Sequence, residues 1–166
     1  SGYSSQGYAE DGFGASFGGA SSYVPSIKAF NIERAALDWL MTMSLEKMYE
    51  RFPNLRIASV ENGSTFLPDL FRKLPQQKNK LMGWFREDPL EQFKEHVWIN
   101  PFWEDDPSEV ADYMGSDRVI FGSDWPHIEG MPTPLDYVDE LSSFDEHDRK
   151  LILHDNVLEL NTPRST

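Results

Sequence analysis

The sequence predicts an α/β fold in which short parallel strands alternate with helices. Three short apolar runs carry the strand signal, at residues 55–60, 97–99 and 118–121. Stretches with apolar residues at helical spacing separate these runs, and strands joined by helices pack as right-handed parallel units. The last run is the clearest, because its contiguous β-branched and aromatic residues indicate a strand buried on both faces.

Helical segments account for the rest of the predicted fold. The first covers residues 31–51 and has a continuous apolar stripe. A second is predicted over residues 65–74, and the polar, proline-bounded stretch 75–90 is predicted as an excursion. Residues 104–114 begin with acidic side chains and a proline, which suits the first turn of a helix. Two further helices are predicted at 134–141 and 145–160.

Composition predicts one globular domain preceded by a long loop. The 166 residues include 5 Trp and 11 Phe, enough apolar side chains for a sizeable core. Residues 1–30 are rich in Gly, Ser and Tyr, and we interpret them as a flexible segment or as a loop that covers a site. Residues 31–166 contain all the predicted strands, and three strands are so few that they indicate part of a larger sheet.

The charge balance excludes several classes of partner. A net charge of −13 opposes binding to nucleic acid or to an anionic membrane, because both need clustered Lys and Arg. No apolar run approaches the ~20 residues of a membrane-spanning helix. The chain has no Cys, and therefore neither a disulfide nor a thiolate metal site, which fits the cytoplasm.

Polar residues follow the predicted strands, and two of them are carboxylates. Glu61 follows the first strand, Asn100 the second and Asp124 the third. The carboxyl ends of parallel strands meet at one rim, where the active sites of such folds collect. Glu61 and Asp124 are therefore candidates for holding a divalent cation or for acid and base roles, and Asn100 for binding the substrate. Helix caps, loop caps and salt bridges are the structural alternatives.

Residues near these strand ends complete the candidate site. His127 lies three residues past Asp124, where an imidazole can bind metal, orient a substrate or shuttle a proton. Phe102, Trp103 and Trp125 are candidates for the walls of a pocket for a planar organic substrate, with core packing as the alternative. The sequence has no HxH or HExxH pair, GxSxG elbow or Walker loop, so it contains neither a complete zinc site nor a nucleotide site.

Four segments resemble, in order, the last three strands and the closing helix of the amidohydrolase-related family of metal-dependent hydrolases and decarboxylases. The most specific is SDRVIFGSDWPHIEG (116–130), which is similar to the eighth-strand signature of that family. RFPNLRIASVENGSTFLPDL (51–70) and VWINPFWEDD (97–106) resemble the sixth-strand and seventh-strand segments. ILHDNVLELN (152–161) resembles the last helix.

This resemblance implies strands six to eight of a (β/α)8 TIM barrel with a mononuclear metal site at the carboxyl rim. The family's eighth-strand Asp, which binds the metal or its water and acts as base, matches Asp124. Many members have a His after the sixth strand, where this chain has Glu61, and a carboxylate there can still be a ligand. The implied cofactor is a divalent metal, Zn first, with Mn or Fe as alternatives. The metal-binding His residues of the first and fifth strands have no counterpart in this chain.

The resemblance leads to one functional hypothesis and one alternative, and the missing metal ligands lead to a second alternative. The hypothesis is a hydrolase that acts on a small organic substrate, aromatic or carboxylated, through metal-activated water. The alternatives are a metal-dependent decarboxylase of the same superfamily and a non-catalytic α/β module that binds a partner through aromatic loops. The expected partners are the substrate, the amino-terminal part of the same enzyme and further copies of the chain, because part of a barrel exposes unpaired strand edges.

Overall fold

A two-stranded parallel sheet lies at the centre of the fold. This computed structural model describes residues 31–125 and 130–163. Strands β1 (Ile57–Ser59) and β2 (Val97–Ile99) pair in parallel, residue by residue. The chain between them is largely helical, as the alternation of apolar patterns in the sequence predicts.

The third predicted strand is reduced to a single parallel bridge, so the prediction of a full strand over 118–121 is wrong. Val119 forms the bridge with Ile99, and the Ile120 amide donates to the Ile99 carbonyl at 2.9 Å. A short 3-10 helix (Ser116–Arg118) takes up the start of the predicted run. The pairing direction is therefore as predicted, while the length of the strand is not.

Helices pack around this sheet and build one apolar core with it. In the described residues they are α1 (Asn31–Leu45), α2 (Met48–Arg51), α3 (Leu67–Lys80), α4 (Pro89–His96), α5 (Pro107–Met114), a 3-10 turn (Pro134–Asp136), α6 (Tyr137–Glu140), α7 (Glu146–Lys150), a π-helical turn (Leu151–Asp155) and α8 (Asn156–Asn161). Ile57, Val97, Ile99 and Val119 extend from the sheet into this core. None of the described helices combines the length and the apolar character needed to cross a membrane.

Several helix boundaries differ from the predicted ones for local reasons. The helix predicted over 31–51 is interrupted because Lys47 has a left-handed backbone, with φ of 54°. Helix α3 continues through Pro75 into the predicted polar excursion, since Leu74 and its neighbours on that face are fully buried. Helix α4 lies partly in the predicted excursion, and Asp88 caps it by accepting from two amides of its first turn.

The carboxyl-terminal helices hold the outer edge of the bridged segment. Asn156 is 1% exposed, and its side-chain amide donates to the carbonyls of Ser116 at 2.8 Å and Val119 at 2.7 Å. The Phe121 amide donates to the Ile152 carbonyl, in the π-helical turn, at 3.1 Å. Such turns interrupt the regular bonding of a helix, which makes a carbonyl available to an outside partner. These bonds fix the chain just before the candidate site.

Candidate active site

The acidic residues that follow β1 and the bridged segment line one cavity. The cavity has a volume of about 350 Å³. Its lining consists of Glu61, Pro101, Phe102, Trp103, Glu104, Gly122, Ser123 and Asp124. Glu61 belongs to the loop after β1, residues 101–104 to the loop after β2, and Asp124 to the loop after the bridge. Parallel pairing therefore brings the ends of two strands and of the bridged segment to one rim.

Both candidate carboxylates have a left-handed backbone. The φ angle is 59° at Glu61 and 54° at Asp124. This conformation is uncommon for residues other than glycine and costs about 1–3 kcal/mol at Glu61, whereas aspartate adopts it at a smaller cost. Strain of this kind persists only where the surrounding structure imposes it, and it clusters at functional sites. The fold therefore holds both residues at the rim against a local energetic preference.

The loop that leaves the cavity at Asp124 returns directly against it. A Cβ atom on Gly130 would lie 2.5 Å from the Asp124 carbonyl oxygen, closer than real Cβ contacts allow. The Met131 amide donates to the Ser123 carbonyl at 2.8 Å on the same side. Glycine at position 130 thus permits the close approach that positions the backbone of Asp124.

Asn100 lies behind the cavity wall and joins β2 to the bridged segment. It is 3% exposed, and its side-chain amide donates to the carbonyls of Pro101 at 3.1 Å and Ile120 at 3.3 Å. Gly122 packs so closely that a Cβ there would lie 2.7 Å from the Asn100 side-chain nitrogen. These contacts give Asn100 a structural role, and its binding of substrate stays a prediction.

The aromatic residues predicted to wall the pocket fall into two groups. Phe102 and Trp103 line the cavity. Trp125 is 63% exposed and is not part of that lining, while its amide donates to the Ser123 hydroxyl at 3.2 Å. His127 lies outside the described residues, so its catalytic role stays a prediction. The cavity thus has two of the three predicted aromatic walls.

The carboxylates fit part of a metal site. Within 31–125 and 130–163, no group of three or more His, Asp or Glu side chains is arranged to hold a cation. Glu61 and Asp124 line the same cavity and carry the oxygen donors that hard divalent cations accept. A catalytic zinc site typically has about three protein ligands. These two residues therefore suit an incomplete ligand set that other residues must finish.

The family of the chain follows from a match over most of its length. Residues 23–160 match the family model described as Amidohydrolase. The chain belongs to the amidohydrolase family. This membership confirms the resemblance that the strand segments indicate, because the match spans all four of them except the final residue.

A solved structure of an amidohydrolase supports the same assignment. The chain is similar to an amidohydrolase of Mycobacterium avium subsp. paratuberculosis K-10, with 41% identity and a TM-score of 0.75. The similarity covers 77% of this chain and 34% of that one, so the match spans about a third of the length of that amidohydrolase. A comparison with curated proteins gave no match.

Glu104 also lines the amidohydrolase cavity, although it is not among the predicted site residues. It is exposed and follows Trp103 in the loop after β2. The rule that selects Glu61 and Asp124, an acidic residue just beyond the carboxyl end of a parallel strand, applies to it as well. The described lining therefore carries three carboxylates and neither Lys nor Arg.

Further carboxylates lie behind Phe102. Gly63 has φ of 64°, and a Cβ there would lie 2.8 Å from the Phe102 ring and 3.0 Å from Oε1 of Glu33. Burial, and then the negative charge of Asp105, raise the pKa of the Glu33 carboxyl. Asp105 accepts from the Ser64 hydroxyl at 2.7 Å and from the Phe102 amide at 3.2 Å. Asp105 therefore anchors the loop that carries an aromatic wall of the cavity.

We expect Glu33→Gln to raise the melting temperature at neutral pH, because it removes a desolvated charge beside Asp105. A glutamate whose pKa is raised on folding stabilises the folded protein at pH values below its pKa in the unfolded chain, near 4.5. This stabilisation is lost as the pH rises through the pKa of the folded protein. The gain in the variant should therefore be present at neutral pH and vanish below 4.5. Calorimetry across this range measures it, with the exposed Glu46→Gln as control. A gain that is independent of pH would contradict the electrostatic cause.

Proposed function

We propose that this chain supplies part of the active site of a metal-dependent hydrolase that acts on a small organic substrate. The observation that carries the proposal is the shared cavity. Glu61 and Asp124 follow separate strand segments and line that cavity together with Phe102 and Trp103. Membership of the amidohydrolase family supports both the hydrolytic chemistry and the use of a divalent metal.

In the proposed reaction Asp124 acts as the base, and Asp124 and Glu61 would together hold a cation. Zinc is our first choice, with Mn or Fe as alternatives, and such a cation would polarise a carbonyl group and lower the pKa of water. Asp124 removes the proton of the attacking water. Phe102 and Trp103 bury the flat part of the substrate and exclude bulk water. His127, three residues beyond Asp124, is proposed to pass the proton taken by Asp124 on to the leaving group.

We further propose that a segment upstream of this chain completes a (β/α)8 barrel. Ala58, the middle residue of β1, is exposed, although strands of all-parallel sheets are buried on both faces. Its register partner Trp98 is fully buried. Upstream strands that close the barrel would cover Ala58 and bring the remaining ligands. Association of further copies into an oligomer stays a prediction.

Metal content tests the proposed hydrolase. The enzyme that contains this chain and its upstream segment is expected to bind one divalent cation per active site. Asp124→Asn and Glu61→Gln should each weaken binding by at least about 100-fold, because even partners of metal ligands cost 10- to 100-fold when removed. Plasma mass spectrometry of protein equilibrated with buffered Zn measures the affinity.

Matched carboxylates outside the cavity provide the control. Asp136→Asn and Glu146→Gln remove exposed charges that do not line it, and both should leave the affinity unchanged. Unchanged affinity in the Asp124 and Glu61 variants, or a wild-type enzyme that binds no divalent cation, would refute the proposed site.

A further inference from the structure

We propose that Glu104 selects substrates by charge, so that the cavity accepts neutral or cationic nitrogen compounds and disfavours anionic ones. The proposal rests on the proposed function, because it assigns a substrate class to the same cavity. It starts from the described lining, in which Glu104 adds a third carboxylate beside two aromatic rings.

The aromatic neighbours of Glu104 favour the same kind of ligand as its charge does. Trp103 and Phe102 line the cavity, and a cation over an aromatic face within about 6 Å of the ring centre is attracted by the electrons of the ring. A carboxylate adds charge-assisted hydrogen bonds to an ammonium or amidinium group. The aromatic ring faces and the Glu104 carboxylate both repel a substrate carboxylate, so both favour a cationic substrate over an anionic one.

Charge balance separates the role of Glu104 from those of the proposed ligands. Glu61 and Asp124 carry one negative charge each when ionised, which together balance the two positive charges of a divalent cation. Glu104 is then the charge that faces the substrate from the described wall.

The proposed selectivity favours hydrolysis of a carbon–nitrogen bond over decarboxylation of an acid. Water adds to the carbonyl or amidine carbon while Asp124 takes one of its protons. The carbon–nitrogen bond then breaks, and the nitrogen leaves with that proton as an amine or ammonia. The reacting amide or amidine group of such a substrate is neutral or positively charged, whereas a substrate for decarboxylation must carry the carboxylate that Glu104 repels.

Three probes of one shape test the selectivity by binding alone. Benzylamine, benzamide and benzoate are cationic, neutral and anionic at neutral pH, and calorimetry gives their dissociation constants on the metal-loaded enzyme containing this chain and its upstream segment. Glu104→Gln should lower the preference for benzylamine over benzoate by about threefold, and Glu104→Lys by about tenfold or more. Benzoate can also bind the metal directly, but that contribution is the same in every variant. It therefore cancels when the preference is compared between variants.

Glu146→Gln and Glu146→Lys are the matched controls, since Glu146 is exposed and outside the cavity lining. They should leave the preference unchanged, and the melting temperature of every variant checks that the fold is intact. A preference that is identical in wild type, Glu104→Gln and Glu104→Lys would overturn the proposal.

Metal content measured on the same samples separates this proposal from the proposed function. If the metal site is fully occupied and the Glu104 variants keep the wild-type preference, charge selection is overturned while the proposed hydrolase stands. A wild-type protein without metal in which Glu104 still sets the preference supports charge selection and refutes the hydrolase.

Discussion

Asp124→Asn is expected to lower kcat/KM by about 100- to 10,000-fold while leaving the fold intact. Asparagine keeps the size of the side chain but can neither take a proton nor carry the charge, and acid–base groups contribute rate factors of this size. The backbone of Asp124 is left-handed, with φ of 54°, and asparagine tolerates that conformation as well as aspartate does. Steady-state kinetics of the complete enzyme on a neutral aryl amide measure the effect.

Two comparisons isolate the chemistry from the fold. Asp136→Asn removes an exposed carboxylate outside the cavity, so kcat/KM should stay within about twofold of wild type. Asp124→Ala should lose activity and also about 1 kcal/mol or more of stability, because alanine does not tolerate the left-handed backbone. If Asp124→Asn retained kcat/KM at the level of the Asp136 variant, the role of Asp124 as base would be ruled out.

The rim of the site could be predicted because strand direction follows from the order of elements. Apolar runs separated by helical patterns imply parallel strands, and parallel strands end at one rim. That inference needs no knowledge of distances, and it led to Glu61 and Asp124, which line one cavity. The same rule reaches Glu104, one residue after Trp103, once every acidic residue in a loop after a strand is considered.

The reduction of the third strand could not be predicted from its own residues. The run 118–121 has the composition of a buried strand, and one of its edges does pair with β2. Its other edge bonds to Asn156 and to the Ile152 carbonyl, which are more than thirty residues further along the chain. Local pattern carries no information about such partners, which depend on a π-helical turn that only the packed structure reveals.

Helix α4 and the Gly130 contact were both absent from the predicted fold, the first despite a local sequence signal and the second because it depends on tertiary structure. Asp88 followed by a proline is a helix-start signal, so α4 could have been predicted from the sequence. The approach of Gly130 to the Asp124 carbonyl could not, because it depends on where a loop returns in three dimensions. Trp125 is largely exposed and lies outside the described lining, so its role as a pocket wall stays a prediction.

Asn156→Asp is expected to lower the free energy of unfolding by about 3 kcal/mol or more. The side-chain nitrogen of Asn156 donates to the carbonyls of Ser116 and Val119, and the residue is 1% exposed. A carboxylate has the same shape but donates nothing, so a buried charge would face two carbonyl oxygens that have lost their donor. Urea unfolding measures the loss, and an unchanged m value would attribute it to the folded state.

Asn161→Asp is the control on the same helix. Asn161 is exposed, and its side chain donates to the Val157 carbonyl one turn earlier. A negative charge at this end of a helix opposes the helix dipole, which limits the expected loss to about 1 kcal/mol or less. A larger loss for Asn161→Asp than for Asn156→Asp would contradict the importance of the buried bonds.

The pH dependence distinguishes lost hydrogen bonds from a packing defect. Burial against two carbonyls raises the pKa of the introduced carboxyl in the folded state, so its cost is present above that pKa and falls as the pH drops below it. Once protonated, the carboxyl can donate to one of the two carbonyls. The stability gap between Asn156→Asp and wild type should therefore narrow from neutral to acidic pH, whereas a gap that is constant with pH would indicate altered packing.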